Sequence, residues 1–139
     1  MQILKTKTAG LILIIVFSLM LVVGCGNQVV GGPTEVDFEK PQEEFLPEEV
    51  QSWLEENIQE YGEDTLVHEE ELYILAAYGE KPTAGYTVEI YKVEKLDGKI
   101  LVFVSYEDPN PKDAVAEVIT YPYDLVVIEY QGLPVEFKK

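Results

Sequence analysis

The 139-residue chain carries 26 acidic side chains against ten lysines and no arginine, a net charge of −16. Neutralising phosphates requires a basic patch, so nucleic-acid binding is excluded as a function class, and adsorption to anionic headgroups through surface charge is disfavoured. Cys25 is the single cysteine, which rules out an intrachain disulfide.

The first predicted element is an export signal over residues 1–24. Lys5 and Lys7 precede an almost wholly apolar run from Ala9 to Gly24, and no acid occurs before Glu35. Charge, a short greasy core and then small residues is the layout of a secretory signal peptide. The run is somewhat short of the roughly 20 apolar residues that span a bilayer. Its end, Val22-Val23-Gly24-Cys25, resembles a bacterial lipobox. That resemblance implies lipidation of Cys25 by diacylglyceryl and palmitate-type chains, cleavage before it, and an extracytoplasmic chain held on a membrane surface. An uncleaved N-terminal anchor is the alternative, and it leaves the rest of the chain on the same side. Loss of residues 1–24 keeps all 26 acids and eight lysines, so the mature charge is −18. The remaining 115 residues suit one domain and a tether.

Residues 25–45 combine a glycine pair, prolines and acids without an apolar period, and read as a lipidated, flexible acidic spacer. The domain is assigned to 46–139. It opens with a helix that has Pro47 in its first turn, Glu48 and Glu49 at the positive end of the dipole, and Gly62 as a stop. Val50, Trp53, Leu54, Ile58 and Tyr61 recur at helical spacing and form one apolar stripe. Glu69-Glu70-Glu71 reads as a solvated run leading into a strand.

Strands are predicted at Glu71–Tyr78, Tyr86–Lys95, Lys99–Glu107, Ala114–Thr120 and Asp124–Tyr130, all rich in β-branched and aromatic residues, with a short extended piece at Leu133–Phe137. Asp97-Gly98 is a strong two-residue hairpin signal. It pairs Val93 with Val102 and Tyr91 with Val104. Pro109, Pro111 and Pro122 interrupt or bend the chain around the fourth strand. Runs such as Ile100–Val104 and Leu125–Ile128 are apolar on both faces, so some strands are covered twice. The expected fold is therefore mainly β: a small antiparallel β-sandwich or barrel with one N-terminal amphipathic helix packed on it.

Catalytic chemistry finds little support. His68 is the sole histidine and reads as structural or surface, which leaves no two-histidine metal site. Ser52 and Ser105, the only mature serines, lie in no nucleophile motif. No enzyme activity and no cofactor are expected. Asp108, Asn110 and Asp113 could approach calcium, but the loop glycine and spaced glutamate of an EF-hand are missing. An acidic solute- or calcium-binding surface lipoprotein remains the alternative function.

The most informative stretch is Gly79-Glu80-Lys81-Pro82-Thr83-Ala84-Gly85-Tyr86. It is stiff at Pro82 and permissive at its glycines, so it can hold a fixed, protruding shape and lose little entropy on binding. An ordinary turn whose tyrosine packs under the next strand is the competing reading.

AAYGEKPTAGYTVEI, then the Asp97-Gly98 hairpin, the proline-rich Glu107–Asp113 connection and VITYPYDLVVI together resemble the PrcB C-terminal domain family of protease-complex subunits. The likeness spans about Leu46–Tyr130. Ala84 stands where that family commonly has glycine. The loop is also similar, over about five residues, to that of chagasin-type cysteine-protease inhibitors. These resemblances imply a non-catalytic, lipid-anchored module that associates with, stabilises or inhibits a protease at the cell surface. Its partner contacts would be Lys81, Pro82, Thr83, Ala84, Gly85 and Tyr86, flanked by Tyr121 and Tyr123.

Overall fold

The computed structural model describes residues 31–139, and the signal segment and Cys25 lie outside the described residues. Among the described residues seven strands form in chain order: β1 (Thr34–Glu35), β2 (Tyr61–His68), β3 (Glu71–Tyr78), β4 (Thr87–Leu96), β5 (Lys99–Glu107), β6 (Tyr123–Glu129) and β7 (Val135–Lys138). A single α-helix among the described residues, α1 (Glu48–Asn57), precedes β2. The strands make two separate sheets, ordered β1-β4-β5-β7 and β2-β3-β6, so the mainly β sandwich is present and no barrel closes. All pairings between named strands are antiparallel except β5 with β7, which is parallel.

Alternation along β3 explains the layering. Leu72, Ile74 and Ala76 point into a core shared with Ile90 and Val93 of β4, Ile100, Val102 and Val104 of β5, and Val126 and Ile128 of β6. Tyr73, Leu75 and Ala77 point the other way, onto Val50 and Leu54 of α1. Successive strand side chains face opposite sides, so an unbroken apolar run is what a sheet covered on both faces demands. The twice-covered strands are β3 and, through Leu125 opposite Val126, β6.

The helix begins as expected, with Pro47 capping it and its carbonyl accepting from Gln51 N at 2.9 Å. Its end differs. Ile58 closes the last turn on Leu54, and Tyr61 and Gly62, assigned to the stripe and the stop, belong to β2. That strand is not predicted, because YGEDTLVH has no clean alternation. Its eight-residue pairing with β3, from Tyr61↔Tyr78 to His68↔Glu71, overrides the weak local signal. Glu69 takes φ 56 in the connecting turn. His68 Nδ1 lies 2.9 Å from Glu49 Oε2, joining the strand end to the start of α1.

The Asp97-Gly98 hairpin forms with φ of 50 and 73 at its two residues, and Val93 pairs with Val102. Tyr91 does not face Val104. A bulge there sets Ile90 opposite Val104 and Lys92 opposite Phe103, which lets Ile90 and Val93, three residues apart, both point inward. Tyr91 is turned out, half exposed, beside Phe103 at 6.1 Å between ring centroids.

Two further expectations are corrected. Ala114–Thr120 is no strand. Flanking prolines restrict the chain, and the segment's β pairing is limited to the bridge Lys81↔Thr120. The free spacer does not extend through residues 34–45. Thr34 and Glu35 pair with Lys95 and Glu94 of β4, Val36 N donates to Val93 O, and Glu39 bridges Val127 of β6. This acidic segment thus crosses from the edge of one sheet to the edge of the other, and Val36 and Phe38 cap the core.

Candidate partner-binding site

Gly79 and Gly85 bracket the 79–86 loop, and both adopt positive φ, 70 and 93. At Gly79 an added Cβ would sit 2.8 Å from Tyr61 N; at Gly85 it would sit 2.9 Å from Pro109 Cβ and 3.1 Å from Val115 Cγ1. Glycine is required at each position for backbone angle and for space.

Between the glycines the backbone is tied to a second loop. Lys81 and Thr120 exchange both N–H···O bonds, at 2.8 and 2.9 Å, Ala84 N donates to Ala116 O, and Thr120 Oγ1 donates to Thr83 O. Glu80 N reaches Gln59 O. The expected recognition residues Lys81, Pro82, Thr83, Ala84 and Gly85 are therefore held on a two-segment platform of residues 80–86 and 114–121. The second segment also opens two apolar side chains to solvent: Val118 is 52% exposed and Ile119 59%. Pro82 is exposed beside them. The stretch that looks like a strand in sequence thus serves as the other half of the platform.

Tyr86 closes the loop and packs against β3. It is partly buried and meets Tyr78 edge-on, with 5.7 Å between centroids. Tyr121 flanks the loop as expected, donating to Glu80 Oε2 at 2.8 Å. Tyr123 does not. It lies on β6 and donates to Glu43 in the N-terminal segment.

Sequence reasoning missed the centre of this region, a cluster of four tyrosines. Tyr78 lies 5.1 Å from Tyr106 and 6.0 Å from Tyr61, and Tyr61 lies 5.2 Å from Tyr106, in tilted or edge-on arrangements. Two lysines of the same chain cover ring faces: Lys81 Nζ stands 3.7 Å from the Tyr78 centroid, and Lys139 Nζ 4.6 Å from that of Tyr61. Carboxylates accept hydrogen bonds from the hydroxyls. Tyr78 donates to Asp108 at 2.5 Å and Tyr106 to Glu63 at 2.5 Å, and Lys139 also reaches Glu63 at 2.9 Å. Nine tyrosines in 139 residues are a visible signal, but assembling these four depends on the unpredicted β2 and its register.

The hydrogen bond to Asp108, reinforced by partial burial, pushes the Tyr78 phenol up to about 12. Because the folded value lies above the ordinary 10, the stabilisation is full below pH 10 and is lost as pH rises from 10 towards 12. An absorbance titration of tyrosinate should show part of the signal delayed into that window. Asp108→Asn should move that part back towards pH 10.

Asp108 and Asn110, two of the three calcium candidates, are engaged within the protein, Asp108 by Tyr78 and Asn110 Oδ1 by the Lys112 N–H. Among the described residues, no group of three histidine or acidic side chains converges at metal-binding distance.

Compared with known proteins, residues 72–129 match the family model described as PrcB C-terminal. The match runs from β3 to β6 and takes in both loops of the platform, while α1 and β2 lie outside it. No curated protein and no solved structure matches the chain.

Proposed function

With residues 72–129 matching the family model described as PrcB C-terminal, we propose that this chain is a lipid-anchored, extracytoplasmic protein-interaction module. It engages a surface or secreted protease, to stabilise or to restrain it, through the platform of residues 80–86 and 114–121. The membrane attachment rests on the lipobox-like end at Cys25. A chain carrying two or more acyl groups is held far more durably than one with a single short chain.

The observation that carries the reading is the platform itself. A loop braced by glycine geometry and by hydrogen bonds to a second segment presents Pro82, Val118 and Ile119 to solvent in a fixed shape. Exposed apolar side chains on a preordered backbone gain contact area without a large ordering cost. In this reading the platform's chemistry is recognition, and the chain acts on its partner by binding.

Capture from native membranes tests this. The full chain should retain a protease that is lost when Lys81–Tyr86 is replaced by a Gly/Ser linker, and lost at least tenfold when Val118 and Ile119 are both changed to Asp. Gly85→Ala should weaken capture and also lower stability, by about 1–3 kcal/mol, because the new Cβ must displace Pro109 at an unfavourable φ. Equal capture by the linker variant would remove the loop from the interface.

A further inference from the structure

We propose that the tyrosine cluster beside the platform is a receptor for a lysine or arginine side chain of the protein partner, and that Lys81 occupies it in the free protein. The inference rests on the reading of this end as a partner-binding surface and adds the chemistry of one contact.

Four observations converge. The cluster presents the rings of Tyr61, Tyr78, Tyr86 and Tyr106 in tilted and edge-on contacts, with Tyr61 55% exposed. Two ring faces already hold cations, Lys81 Nζ at 3.7 Å from Tyr78 (and 5.4 Å from Tyr86) and Lys139 Nζ at 4.6 Å from Tyr61. An ammonium over a ring face is attracted by the ring quadrupole. The hydroxyls of Tyr78 and Tyr106 donate to carboxylates, and such polarisation makes the rings more electron-rich. The last observation is charge. Among the described residues Lys81 makes no ion pair, unlike Lys139, which is paired with Glu63. It is held at the cluster by the rings and by its own backbone bridge to Thr120. A side chain so placed can swing into solvent at little cost when another cation arrives. The chain as a whole carries −16, which attracts basic partners and repels acidic ones.

The probe is the peptide acetyl-Gly-Lys-Gly-Lys-Gly-amide, titrated into the full chain in neutral detergent with ring-labelled tyrosine observed by NMR. Lys81→Gln opens the Tyr78 face and should tighten binding about fivefold. The Tyr78 and Tyr86 ring signals should move most. Lys112→Gln makes the same change in net charge on a nearby exposed loop and should tighten binding less than twofold. In the Lys81→Gln background, Tyr78→Phe should keep the gain and Tyr78→Leu should lose it. Tyr86→Leu serves in its place if thermal unfolding shows that Tyr78→Leu is not folded. Equal effects of Lys81→Gln and Lys112→Gln, an undiminished gain after ring removal, or binding that leaves the ring signals still would each overturn the proposal. Partner capture by the linker variant is scored separately. Its persistence would count against the platform, whereas the peptide titration reports on the cluster alone.

Discussion

Asp124→Ala is expected to destabilise the domain by about 2–4 kcal/mol, lowering the thermal midpoint by roughly 10 °C or more. The Asp124 side chain is almost fully buried, and its Oδ2 accepts both from Ile90 N, at 2.7 Å, and from Lys40 Nζ, at 2.7 Å. One carboxylate thus ties three separate pieces of chain together: β6, the bulged stretch of β4, and the N-terminal segment that crosses between the sheets. Truncation leaves the Ile90 N–H buried without an acceptor, and an orphaned buried donor loses its full desolvation term. Lys40→Gln should cost less than about 1 kcal/mol, since the ammonium is half exposed and water replaces its partner. Calorimetry of the two variants separates the contributions. A loss for Asp124→Ala no larger than that for Lys40→Gln would show that the backbone bond contributes little.

Ile74→Ala should cost about 3–5 kcal/mol, the largest loss anticipated for a single core truncation here. Ile74 is wholly buried on the central strand β3, packed between the sheets, while its neighbour Leu75, 1% exposed, faces α1. Both truncations remove buried methyl groups from a strand hydrogen-bonded on both sides, so neither site can collapse easily. Their signatures should differ. Leu75→Ala loosens the helix, so amides of residues 50–57 should exchange faster in hydrogen–deuterium experiments. Ile74→Ala weakens the contact between the sheets and should raise exchange in β4 and β6. Identical exchange patterns would mean that the two cores do not behave as separate layers.

Much of the candidate site was legible locally. The glycine–proline loop announces a fixed turn because positive φ and a locked φ are properties of single residues, and both Gly79 and Gly85 take the positive φ that the loop needs. The Asp97-Gly98 hairpin is equally local. The bulge at Tyr91 is not, since it follows from bringing both Ile90 and Val93 to the core, and that demand comes from the opposing sheet. The segment 114–120 shows the same limit from the other side. Its β-branched composition states a propensity, but strand formation also needs a partner strand, and the segment pairs only with the loop at Lys81.

By itself the sequence determined an acidic, largely β chain with one amphipathic helix and a glycine-braced loop, and its lipobox-like end at Cys25 is what the proposal of export and lipid attachment rests on. These are read from composition, periodicity and single-residue backbone preferences, which act over a few neighbouring residues. The tertiary structure alone decided that residues 34–40 bind across the two sheets, that YGEDTLVH becomes β2, and that four tyrosines from three strands and the end of the loop meet between Lys81 and Lys139. Those outcomes depend on which strand lies beside which, and pairing between residues far apart in the chain is selected by burial of the whole core and not by any local signal.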